Sequence, residues 1–135
     1  PRVFAIKGAG GAMLRVKVVA AASDRMIVIA DGSKKVAAIG RAKLPVEVLP
    51  FAQVFVATRL ETLGAAVGPR NGLTDNGNLI VDARFPAMPD PAALAAAIDA
   101  IPGALGHGLF LTEVDAAYIA ANGIVTRLER GEASR

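Results

Sequence analysis

Cysteine is absent from this chain of 135 residues, which excludes disulfides, thiolate metal sites and a cysteine nucleophile together. Aromatic side chains are scarce, five Phe and one Tyr, so platforms for stacking bases are few. Charge of one sign is scarce too. The balance of 15 basic against 12 acidic residues gives +3, and the basic residues are scattered rather than drawn into a stripe, so nucleic acid is not an expected partner. A single histidine, His107, with no cysteine beside it offers no metal ligand set. No apolar run approaches the roughly 18 residues that span a bilayer, and the first residues lack the charged-then-apolar order of a secretory signal. The expectation is a soluble, cytoplasmic protein with no membrane partner. An initiator Met is also missing. PRVFAI already reads as the run into a buried strand, so the sequence is expected to be a processed or truncated piece of something longer.

What is present is enough for one domain with a real core, or for two small lobes sharing one. VFAI (Val3 to Ile6) is a short apolar run that stops at Lys7, and Gly8, Gly10 and Gly11 then break the pattern. From Gly11 to Ala22 the residues are mostly helix formers. Leu14, Val18 and Ala21 share one side of the wheel and Met13, Val16 and Ala20 the other, a pattern expected of a helix buried on both faces. MIVIA (Met26 to Ala30) reads as a strand covered on both faces, as in a parallel sheet, and Asp31-Gly32-Ser33 ends it with turn chemistry. This strand, loop, helix, strand order predicts part of an open Rossmann-like α/β sheet, with ligand loops beyond the carboxyl ends of strands.

The grammar changes after LPVEVLP (Leu44 to Pro50). Val46 to Leu49 reads as a brief strand and Pro50 to about Gly64 as a helix with Phe51, Val54, Phe55 and Thr58 on one face. Gly68 to Gly77 is turn-rich. NLIVDARF alternates, with Leu79, Val81, Ala83 and Phe85 on one side and Ile80, Asp82 and Arg84 on the other. Asp90-Pro91 supplies an N-cap and a first-turn proline, and Leu94, Ile98 and Ile101 make a core stripe closed by Pro102-Gly103. ALGHGLFL (Ala104 to Leu111) reads as one last strand. With a short extra strand near Ala66 to Pro69, this order predicts a smaller ferredoxin-like α+β lobe. The expected division is 1–44 with 112–135 as a partial α/β catalytic domain, and 45–111 as the ferredoxin-like lobe. Asn122-Gly123 between two apolar runs predicts a hairpin, and Gly131 to Arg135 a frayed end.

Chemistry has few places to sit. Glycine backbone approaches anions closely, and helix N-terminal amides carry partial positive charge. The stretch KGAGGAMLRVK (Lys7 to Lys17) therefore reads either as an anion cradle beside Lys7 or as a tight structural turn, and it lacks the terminal Lys-Ser/Thr pair of a P-loop. Asp31 to Lys35 reads as a solvated turn or, with Lys34 and Lys35, as a second phosphate-gripping loop at the same sheet edge. Thr74 to Asn78 reads as an Asx-rich turn into a strand. His107, on the face of Leu105, Leu109 and Leu111, reads as a packed imidazole.

With these pieces in hand, KGAGGAMLRVK, IADGSKK, KLPVEVLPFA, GLTDNGNLIVD and AIPGALGHGLF, in that order and spread over nearly all of the chain, resemble the type A ribose-5-phosphate isomerase family. The resemblance implies interconversion of ribose 5-phosphate and ribulose 5-phosphate through an enediolate, in the pentose phosphate pathway, without metal or organic cofactor, by a homodimer or homotetramer. It assigns sugar contacts to Lys7, Gly8, Ala9 and Gly10, with Lys7 also positioning the developing oxyanion, and a further substrate contact to Lys34. Three departures stand out. The family's proton-abstracting glutamate falls on Val16, Ala9 stands where another glycine is usual, and the family's front part, with its phosphate loop and paired aspartates, is not in this sequence. An altered or inactive isomerase, or a sugar-phosphate-binding or assembly module derived from one, follows as the expectation.

Overall fold

The computed structural model describes residues 4–34 and 43–130. Val3, Lys35 and the 131–135 tail lie outside them. The elements run β1 (Ala5–Ile6), α1 (Met13–Ala22), β2 (Ile27–Asp31), β3 (Leu44–Val48), α2 (Gln53–Thr62), β4 (Ala66–Pro69), β5 (Leu79–Arg84), α3 (Pro91–Asp99), β6 (Ala104–His107), β7 (Leu109–Phe110), β8 (Ala116–Ala121) and β9 (Ile124–Glu129).

The middle of the chain forms a four-stranded antiparallel sheet in the order β4-β5-β3-β6. Its β-α-β-β-α-β sequence with the first strand central is the ferredoxin-like arrangement. The period-2 alternation of β5 explains which face takes the helices. Leu79, Val81, Ala83 and Phe85 join Leu44, Val46 and Val48 of β3 against Val56 and Leu60 of α2 and Leu94 and Ile98 of α3. Asp90 caps α3, its carboxylate accepting from the Ala93 N–H at 3.0 Å, with Pro91 at the first helical position.

The other sheet face carries Pro45, Glu47, Ile80, Asp82 and Gly106. It meets α1 closely, since any side chain at Gly106 would press on Leu14. Ile80 extends into a second apolar cluster with Met13, Phe110, Val114, Ala117 and Ile119. Beyond it lies a three-stranded sheet, β2-β8-β9, in which β2 and β8 are parallel and β8 and β9 form a hairpin. Asn122 and Gly123 turn that hairpin with φ of 52° and 75°, the left-handed pair a tight hairpin requires.

Three expectations are corrected. In α1 only Met13 is buried, and Val18 and Val19 are exposed. In β2 one face is open, with Ile29 at 81% exposure. Continuous apolar runs do not report which faces are covered, because among the described residues no element packs on these. Ala104 to Leu111 is two strands rather than one. Gly108 interrupts it: Lys7 donates its N–H to the Gly108 carbonyl at 2.8 Å and Gly108 donates to that of Pro45 at 2.9 Å. β6 therefore pairs with β3, and β7 turns away to pair with β1, so β1 is not a neighbour of β2.

Candidate active site

The glycine loop leaves β1 at Lys7 and enters α1 at Met13. Gly8 and Gly11 have φ of 102° and 88°, a region that disfavours any side chain, and Gly11 donates its N–H to the Gly8 carbonyl at 2.8 Å. Ala9 is not in that region, so the substitution of a usual glycine there adds no backbone strain.

Arg70, which follows β4, braces this loop. Its Nη1 donates to the carbonyls of Gly8 (2.9 Å) and Ala9 (3.1 Å). Its Nε and Nη2 grip the two oxygens of Asp82 on β5 at 3.0 and 2.5 Å. In a trans peptide the N–H points opposite its C=O. The Ala9 and Gly10 N–H groups, on exposed residues, are therefore turned away from the guanidinium, and among the described residues neither has an acceptor. Gly10, Gly11 and Ala12 on one side, and Arg70, Asn71, Gly72, Leu73, Thr74 and Asp75 on the other, with Ile80 between, line a cleft of about 140 Å³.

The far wall is fixed by a buried carboxylate. Glu47 is 0% exposed. Its Oε2 accepts from Thr74 Oγ1 (3.0 Å), Asn76 Nδ2 (3.0 Å) and Asn78 Nδ2 (2.8 Å). Its Oε1 has no partner among the described residues. The expected turn at 74–78 is present, with Thr74 N–H on the Asn78 carbonyl at 2.8 Å. Arg15 of α1 joins the two walls, donating to Asn76 Oδ1 at 2.6 Å and the Asp75 carbonyl at 3.2 Å.

Val16 is half-buried and packs against the Met13 and Phe110 cluster. Beside it, Lys17 donates to the Leu109 carbonyl at 2.7 Å and sits 3.2 Å from His107 Nδ1 and 4.7 Å over the Phe110 ring. Burial chiefly pushes the Lys17 pKa down, against the pull of Glu113 and Asp99. His107 Nδ1 also accepts the Leu109 N–H at 3.1 Å, so the neutral ring carries its proton on Nε2, 3.1 Å from Asp99 Oδ1. Burial first, then the Lys17 charge, lowers the His107 pKa and keeps it neutral near pH 7. His107 is thus the packed, satisfied imidazole expected, although Leu105 of the same strand is exposed.

Lys34 is exposed in the Gly32–Lys34 turn after β2. Beside it Asp31 accepts from the Ser33 hydroxyl and N–H, which lowers its pKa. No described contact joins Lys34 to the glycine loop. Among the described residues no group of three or more His, Asp or Glu could hold a metal ion, and no helix is long and apolar enough to cross a membrane.

Arg70, Asp82, Arg15 and Glu47 did not stand out in the sequence. Arg70 lies in a turn-rich stretch and Asp82 on the polar phase of a strand. Only Glu47, a carboxylate between Val46 and Val48 in an otherwise apolar run, carried a signal, since a buried charge needs a dedicated partner set.

Comparison with known proteins supplies the context for this geometry. A family model described as ribose 5-phosphate isomerase A (phosphoriboisomerase A) matches residues 1–123. The ribose-5-phosphate isomerase A of Sphingopyxis alaskensis is 53% identical over 137 residues, covering 98% of this chain and 60% of that protein. That of Roseiflexus castenholzii is 47% identical over 142 residues, covering 100% and 61%. Among solved structures, ribose 5-phosphate isomerase A from Methanocaldococcus jannaschii superposes with a TM-score of 0.89 at 33% identity, over 96% of this chain and 60% of that one. A D-ribose-5-phosphate isomerase in complex with phospho-erythronic acid superposes at 0.90 and 31% identity, with the same coverage. The chain spans about three fifths of the length of these relatives.

Proposed function

The chain belongs to the ribose 5-phosphate isomerase A family, and on that premise we propose that its glycine-loop cleft binds ribose 5-phosphate and serves its interconversion with ribulose 5-phosphate. The observation that carries this reading is the braced loop, whose Ala9 and Gly10 N–H groups have no acceptor among the described residues and are turned from Arg70. Aldose-to-ketose conversion moves one proton from C2 to C1 and another from the C2 hydroxyl to the C1 oxygen, and develops negative charge on oxygen in the enediolate between. Lys7 and the amides of Gly8, Ala9 and Gly10 stabilise that charge, and Lys34 supplies a further contact to the sugar phosphate. Proton transfer and charge stabilisation complete the reaction, with no electron transfer to call for a cofactor. The proton acceptor belongs at position 16, where Val16 has no basic atom.

It follows that this chain binds the sugar phosphate but turns it over slowly. A positioned general base typically contributes roughly 10² to 10⁴ in rate. A ribose 5-phosphate turnover assay on the chain beside its Val16→Glu variant tests this. The variant is expected to be faster by a factor in that range; equal, measurable rates in the two chains would mean that another residue is the base. The packing of Val16 in an apolar cluster also favours a second reading, a sugar-phosphate-binding module without turnover, which predicts binding heat in calorimetry and no isomerisation in either chain.

The two-unit division, 1–44 with 112–135 and 45–111, is proposed on the two larger sheets, which share no strand, while the β1 and β7 pair and the contact of Ile80 and Phe110 with Met13 join the units. Assembly as a homodimer or homotetramer is supported by the exposed Phe51, Val54 and Phe55 on and before α2. Light scattering that showed monomer alone would contradict it.

A further inference from the structure

We propose that Arg70 is a positioning residue for the glycine loop: its guanidinium, locked on Asp82, holds the Gly8 and Ala9 carbonyls so that the following N–H groups are presented to a bound anion.

The inference rests on the sugar-phosphate reading only for the identity of that anion. A loop with glycines at 8, 10 and 11 has many backbone states, and left alone it would lose conformational entropy on binding. Three distinct donors on one rigid plane remove that freedom beforehand. Nε and Nη2 are spent on the two Asp82 oxygens, and Nη1 alone reaches both carbonyls, at 2.9 and 3.1 Å. Asp82 in turn is fixed by the sheet, because β5 pairs on both sides, with β3 and β4. The Arg70 backbone is fixed as well, its N–H donating to the Ile80 carbonyl at 2.9 Å. The loop is thereby referred to an interior strand of the four-stranded sheet through one side chain. A lysine has one ammonium in place of the fork and cannot meet the carboxylate and both carbonyls in this geometry. The guanidinium also stands on the carbonyl side of these peptides, so it orients the amides without needing to touch the ligand.

Arg70→Met and Arg70→Lys in the same chain test this, read by ¹⁵N relaxation of the loop amides and by calorimetry with phospho-erythronic acid. In the unaltered chain the Ala9 to Gly11 amides should have order parameters near the rigid value of about 0.85. In Arg70→Met they should fall below about 0.6, and Arg70→Lys, which keeps the charge, should not restore them. Affinity should drop roughly tenfold to a hundredfold in both variants. Millimolar guanidinium should recover part of it in Arg70→Met, where sodium chloride at the same strength does not. Asp82→Asn, which breaks the fork but keeps the shape, should loosen the same amides and serves where Arg70→Met does not fold. Unchanged loop order in Arg70→Met, or full rescue by lysine, would overturn the proposal. Absence of binding by the unaltered chain would sink the sugar-phosphate reading, while the relaxation result would still decide the brace.

Discussion

Replacing Glu47 by alanine should destabilise the fold by loosening the cleft wall that its carboxylate anchors. The carboxylate is 0% exposed and its Oε2 accepts from Thr74, Asn76 and Asn78 at 2.8 to 3.0 Å. Hydrogen bonds to a charged group each contribute about 1.5–3 kcal/mol. They do not simply add, because removing the carboxylate also relieves its desolvation and the unpartnered Oε1. The part-buried donors also regain some water once the loop loosens. Glu47→Ala strands neutral donors and no charge, so the net loss is about 2–3 kcal/mol, still a large share of the roughly 5–15 kcal/mol that holds a domain together. With a urea slope of about 2 kcal/mol/M the unfolding midpoint should fall by about 1–1.5 M. Glu47→Gln keeps one acceptor oxygen for the same donors and should lose only about 1 kcal/mol. An alanine variant within about 0.5 M of the unaltered midpoint, or no worse than glutamine, would refute the view that this carboxylate organises the 74–78 turn.

Two further outcomes follow from the packing around α1. His107 has its pKa lowered in the folded state, by burial and then by Lys17, so its contribution is full above the unfolded value near 6.5 and is lost as pH falls toward the folded value. The urea midpoint should therefore drop between pH 7.5 and 5.5 more in the unaltered chain than in His107→Gln, and Lys17→Met should move the imidazole titration upward, followed by NMR on the one histidine present. An imidazole midpoint that stays put in Lys17→Met would contradict the close charge. Gly108→Ala would drive its methyl into the Lys7 carbonyl and the Pro45 ring. It should cost about 1–3 kcal/mol in denaturation and shift the Lys7 amide resonance; a variant of ordinary stability with Lys7 unmoved would show that the β1 and β7 pairing has slack.

The ferredoxin-like lobe was legible because its elements carry strong local signals, a strict alternation over Leu79 to Phe85 and a capped stripe of Leu94, Ile98 and Ile101, and each signal agrees with what the core needs. The burial of α1 and β2 was not legible, since Val18, Val19 and Ile29 look the same in sequence whether or not something covers them. The break at Gly108 was hidden for a different reason. It is set by the approach of Lys7 and Pro45 from far along the chain, and local apolarity on either side argues for continuity. At the site, Lys7 and the glycines announced a loop but left cradle and turn open. Two of the residues that decide its shape, Arg70 and Asp82, are separated from it by about sixty positions or more, and Arg15, close by in the chain, acts through Asn76, 61 positions further on. Side-chain contacts across such distances leave no periodic mark.

The most direct test is an amide-resolved NMR titration of the unaltered chain with phospho-erythronic acid, which needs no turnover. Saturable shifts at Lys7, Gly8, Ala9 and Gly10, with Lys34 responding in the same concentration range, are the expected result. Shifts confined to other surfaces, or none at concentrations where a site of millimolar affinity would fill, would contradict a sugar-phosphate site at the glycine loop.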